Sequence, residues 1–131
     1  MSQRVEPTAW VGWVLFGATM MLIIGIMHVI AGLVGLFNSD FYVGTSAGVI
    51  VFDITTWGWI HIVTGILLVA TSIGIVTRTT WARISGVLLT SIAIVVNIAF
   101  LPTYPLWSLI GITLGCFVVY ALAMHGNEIE E

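Results

Sequence analysis

Four polar side chains stand where an apolar chain would need them for chemistry: His28, His61, Asn97 and Asp53. Histidine changes charge near neutral pH and serves as proton carrier, hydrogen-bond partner or ligand. Two imidazoles from facing helices of a bundle supply both axial positions of a b-type haem. The same pair could serve a quinone, lipid or small solute as proton or hydrogen-bond partners. Against haem, no Lys or Arg is placed at the depth of the histidines to meet the propionates. The plain alternative is a hydrogen-bonded layer in which His28, His61 and Asn97 satisfy one another or a backbone carbonyl and fix helix register. Zinc requires further ligands. Asp53 could be one, but no spacing demands it, and no metal site is assigned. Cys116 is the only cysteine, which excludes a disulfide within the chain and any cysteine-based metal site. The sequence shows no nucleophile–base constellation and no phosphate-binding glycine loop. No catalytic residue and no cofactor is therefore assigned, and the chain is expected not to be an enzyme.

These residues sit in an extreme composition. Of 131 residues, 60 % are hydrophobic and 7 % charged, whereas about a quarter of a soluble domain is charged. The charges lie outside the long apolar runs or at their margins, as expected where hydrocarbon excludes an ionised group. The net charge of −3 comes mostly from the acidic tail. With no basic patch, no nucleic-acid partner is expected.

The elements that position the four residues follow from the apolar runs. A span needs about 20 apolar residues, and residues 10–37, 57–76, 81–100 and 106–124 qualify. Backbone in lipid must satisfy its own hydrogen bonds, so each run reads as a helix. The first is too long for a cleaved leader and lacks a small-residue cleavage site. Arg78 and Arg83 flank the second link and Arg4 precedes the first span, while the other links carry no Lys or Arg. The positive-inside rule then puts both termini on the cytoplasmic side of the cell's plasma membrane. Trp10, Trp13 and Trp81 mark one interface; Trp57, Trp59 and Trp107 mark the other.

The first outer link, from Asn38 to Thr56, holds two β-prone runs about Gly44–Gly48 and predicts a short extracytoplasmic β-hairpin. Asp53, Thr55 or Thr56 is expected to cap the second helix, and Thr79 or Thr80 the third. Pro105 suits the first turn of the fourth.

Small or polar residues recur every three or four positions: Gly17, Met21, Gly25, His28, Gly32 and Gly35 on helix one; Gly58, His61, Thr64, Gly65, Thr71 and Ser72 on helix two. Helix three gives Gly86, Thr90, Ala93 and Asn97; helix four Ser108, Gly111 and Gly115. Membrane helices meet along such stripes. The expectation is one all-α membrane domain, an antiparallel four-transmembrane-helix bundle over residues 1–131. At about 1.5 Å per residue, His61, Asn97 and His28 each fall roughly 5–7 Å below the outer boundary, so all three fit one outer polar layer, capped by Asp53, Tyr104 or Asp40. The heptapeptide from His28 also echoes that from His61, His-Val-Ile-Ala-Gly-Leu-Val against His-Ile-Val-Thr-Gly-Ile-Leu. Consecutive spans run in opposite directions, so a duplication there would be inverted.

Trp10-Val-Gly-Trp13, Val51-Phe-Asp-Ile-Thr-Thr-Trp-Gly-Trp-Ile-His61, Thr80-Trp-Ala-Arg83 and Ala99-Phe-Leu-Pro-Thr-Tyr-Pro-Leu-Trp-Ser108 occur in that order. In this the chain resembles a family of small, uncharacterised four-span bacterial membrane proteins, one of the domain-of-unknown-function groups. The resemblance runs from about Trp10 to Gly126. It implies a multi-pass membrane location and carries over no catalytic residue. The family pattern does not require histidine at position 28. The functional expectation is an accessory or structural bundle in the lipid bilayer, associating with itself or another membrane protein. The alternative is a ligand-, quinone- or haem-binding protein using His61 and His28. A transporter working as an oligomer comes third.

Overall fold

The computed structural model describes residues 8–37, 43–45, 48–50 and 53–130. Its elements are α1 (Trp10–Phe37), β1 (Val43–Thr45), β2 (Gly48–Ile50), α2 (Ile54–Val76), α3 (Thr80–Phe100), α4 (Pro105–His125) and a terminal turn α5 (Asn127–Glu130). The four long helices are each long and apolar enough to cross a membrane, and the chain is a multi-pass membrane protein. They exceed the apolar runs by three residues at the start of α2, one at the start of α3 and one at each end of α4, because helix termini carry little hydropathy signal.

The helices pack as an antiparallel bundle, most extensively α1 on α2 and α3 on α4. Glycines set the α1–α2 approach. A Cβ added at Gly65 would stand 2.6 Å from the Gly25 carbonyl oxygen, and one at Gly32 2.6 Å from that of Gly58. Only residues without side chains let two backbones meet so closely, which is how helices gain contact where lipid gives no hydrophobic drive. Ser72 of α2 adds a buried hydrogen bond to the Ala18 carbonyl of α1, at 2.7 Å.

The apolar core lies toward one end. Val14, Ala18, Met21, Ile75, Ala82, Val118, Ala121 and Leu122 are all buried, and they come from the start of α1, the end of α2, the start of α3 and the end of α4. This is the end that carries both termini, since the Thr8 amide and hydroxyl bond the Glu128 carboxylate at 2.8 and 2.7 Å. Toward the other end, the hairpin end, α3 buries nothing beyond Gly86; its only buried residues are Ala82 and Gly86.

β1 and β2 pair antiparallel, Val43 opposite Ile50 and Thr45 opposite Gly48. The pairing of the two runs is as expected, but the strands reach further toward each other. Gly44 and Gly48 stand in the strands rather than in the turn, and residues 46–47 lie outside the described residues.

Asp53 is the residue that caps α2, its Oδ1 accepting from the Thr55 amide at 3.2 Å and its Oδ2 from the Thr56 hydroxyl at 2.7 Å. These bonds favour the charged form and hold the Asp53 carboxyl below its ordinary value. The cap expected on α3 fails in part. Thr79 stands at the N-cap position but makes no side-chain cap bond; its hydroxyl donates back to the Gly74 carbonyl of α2 at 2.8 Å. The end of α2 leaves orphan carbonyls, and the short link puts Thr79 within reach of one.

Candidate functional site

The four sequence-derived residues divide into three places. His28 and His61 meet across the α1–α2 seam with ring centroids 5.0 Å apart and planes tilted by 34°. Both are half-buried. His61 also lies 3.8 Å from the Trp57 ring, and its Nδ1 stands 3.0 Å from the Trp57 carbonyl oxygen. A carbonyl only accepts, so Nδ1 carries the hydrogen. In the neutral ring Nε2 is then left as lone-pair donor, the atom that would accept a proton or a ligand's hydrogen bond. Trp57, His61 and His28 thus form a ladder of rings toward the hairpin end of the α1–α2 pair.

Asn97 does not join them. Its Nδ2 donates to the Ala93 carbonyl one turn back, at 2.9 Å. Its amide lies against α4, where a Cβ at Gly111 would be 2.8 Å from Oδ1. Equal depth put three residues in one layer on paper, but helix rotation directs Asn97 to the α3–α4 seam. Asp53 is exposed and engaged as the α2 cap. Asp40, one of the expected caps of the polar layer, lies outside the described residues. Tyr104, another, is exposed.

The short echo between the first two spans extends once the packing is seen. Gly25-x-x-His28-x-x-x-Gly32 on α1 and Gly58-x-x-His61-x-x-x-Gly65 on α2 have identical spacing. They cross antiparallel, with Gly25 on Gly65 and Gly32 on Gly58. Each histidine therefore occupies the equivalent place in its helix, between two glycine contacts, and the pair faces itself across a local pseudo-twofold.

This geometry does not suit haem. A porphyrin between rings 5.0 Å apart would have to force open helices whose backbones already touch at two glycine pairs. Among the described residues no group of three His, Cys, Asp or Glu is disposed to hold a metal ion.

A second polar cluster, at the end with the termini, escaped the sequence reading. The Glu128 carboxylate accepts from the Thr8 amide and hydroxyl and from His125 Nδ1 at 2.5 Å. These donors, the Thr8 amide foremost, hold the Glu128 carboxyl down to about 2. His125 in turn stacks on Trp10, 5.4 Å away and within 10° of parallel. The signal in the sequence was His125-x-x-Glu128, a spacing that makes helical neighbours. Its partner Thr8 is 120 positions away and left no trace.

A bundle of four membrane-length helices with one paired-histidine seam defines a small multi-pass membrane protein. Residues 13–127 match the family described as Domain of unknown function (DUF7144), and the chain belongs to that family. No curated protein and no solved structure matches the chain.

Proposed function

We propose that this protein is a non-enzymatic accessory or structural subunit of a membrane assembly, set in the plasma membrane with both termini cytoplasmic. The observation that carries the reading is the thin packing of α3. Of its 21 residues only Ala82 and Gly86 are buried, both near the terminal end. Ile84, Leu88, Ile92 and Val95 follow one another at helical spacing and are each about 60 % exposed. A helix that gives its own bundle so little is well shaped to give its face to a neighbouring helix, of a second copy or of another membrane protein. The cytoplasmic assignment rests on Arg78 and Arg83 at the terminal end.

A second reading is supported by the His28–His61–Trp57 ladder. The lone pair on His61 Nε2 and the half-buried rings suit accepting a hydrogen bond from a hydroxyl-bearing amphiphile such as a quinol, while the glycine contacts beside them leave no room for haem.

A native mass spectrum of the gently solubilised chain separates the two. A protein complex or dimer is the expected result. An added small-molecule mass that disappears in His61→Ala would instead move the assignment to the histidine seam. A bare monomer, with no partner captured by crosslinking in membranes, would overturn the subunit reading.

A further inference from the structure

We propose that His28 and His61 form a chelating half-site for a late first-row divalent cation, with zinc as its representative. The site is independent of the subunit reading, since it needs no partner chain.

One ring is already prepared as a ligand. His61 Nδ1–H is held by the Trp57 carbonyl at 3.0 Å, which fixes the tautomer and leaves the Nε2 lone pair bare. A metal-binding histidine is ordinarily oriented in this way, its second nitrogen donating to a carbonyl or carboxylate. The Trp57 ring, 3.8 Å from the imidazole, braces it further.

The second ring stands at the separation chelation needs. Two imidazoles that share one tetrahedral ion, each nitrogen about 2.0–2.1 Å from it, have ring centroids about 5 Å apart. Those of His28 and His61 are 5.0 Å apart. Neither nitrogen of His28 makes a hydrogen bond among the described residues. An imidazole without a partner in an apolar seam keeps a desolvation cost that a ligand relieves.

The backbone holds this separation. Gly25 on Gly65 and Gly32 on Gly58 fix α1 against α2 on either side of the histidines. A bare ion, unlike a porphyrin, fits between the rings without parting those contacts. The donor set is two neutral nitrogens, which suits zinc, copper or nickel, whereas magnesium and calcium take oxygen. Both rings are half-buried, so water or a solute anion can complete the coordination. With two protein ligands in place of four, the affinity falls below that of a structural zinc site. Once bound, the ion ties α1 to α2 at the hairpin end.

The test uses the full chain, freed of metal by a chelator, in neutral detergent. Zinc chloride is titrated by calorimetry, magnesium chloride serves as the control, and thermal unfolding is followed alongside. The expected result is a single zinc per chain, a higher unfolding midpoint with zinc, and no response to magnesium. His28→Ala and His61→Ala should each weaken binding at least about tenfold, the cost of losing even an outer-shell partner, and abolish the rise in midpoint. His28→Gln and His61→Gln repeat the test with hydrogen-bonding side chains, and the metal-free midpoints show which variants are folded. His125→Gln, which removes the third and last histidine, should bind zinc as the parent does. A parent that binds no zinc overturns the proposal. So does binding that survives the loss of either His28 or His61, or that is lost in a folded His125→Gln protein, which would put the ion at the terminal end.

Discussion

At the scale of single residues, what decides each polar group is which backbone or ring it faces. Asp53 shows this. It is fully exposed, and what it does is accept from Thr55 and Thr56 at the start of α2. Its carboxyl is held below the ordinary value of 3.8 by those bonds. A lowered value in the folded state means the contribution is complete above pH 3.8 and is lost as the pH falls through the lower, folded value. Asp53→Ala should therefore lower the thermal midpoint at neutral pH by roughly a few degrees. Asp53→Asn, an equally good cap, should keep most of the midpoint and lose the acid sensitivity. Thermal unfolding of the three proteins between pH 3 and 7 checks both. Asp53 as a cap was legible in the sequence because capping is local. Asn97 as a partner of the histidines was not: depth along a helix can be counted from sequence, but rotation about the axis depends on which neighbour has the glycine. Gly111 of α4 turned out to be that neighbour.

At the scale of elements, the α1–α2 pair is the tightest contact in the molecule and rests on two glycine pairs flanking two histidines. The stripe was readable from periodicity, and Gly17, Met21, Gly25, Gly32 and Gly35 are indeed buried on α1. What periodicity withheld was the partner register, because sequence spacing says which residues share a face and not which face they meet. Gly65→Val should force its new atoms onto the Gly25 carbonyl, 2.6 Å from the Cβ alone. We expect a loss of about 1–3 kcal/mol, with His28 and His61 parted. Gly12→Ala is the control on the same pair of helices. A Cβ there meets nothing within 4 Å, and removing a helical glycine should stabilise by about 0.5–1 kcal/mol. Denaturation in mixed micelles measures both. Equal effects would remove the glycine seam from the account.

At the scale of the whole molecule, the bundle is asymmetric along its axis. Core, Arg78, Arg83 and the Thr8–Glu128–His125 clasp gather at the terminal end. The hairpin end holds the histidine seam, and there α3 has no buried residue. Four spans, their antiparallel order and the hairpin between the first two could be read from hydropathy and turn residues, because lipid imposes those constraints on every residue. The clasp could not, since it joins positions 120 apart in sequence. Nor could the thinness of α3, whose hydropathy lies only slightly below that of the better-buried α2 and α4. That thinness carries the central claim, that α3 offers its face to another membrane helix. The direct measurement is site-specific photo-crosslinking in intact membranes from Ile84, Leu88, Ile92 and Val95, with Trp59 on α2, also exposed, as comparison. The account predicts one discrete protein adduct from the α3 positions and none from Trp59. Adducts to lipid alone from all five positions would contradict it.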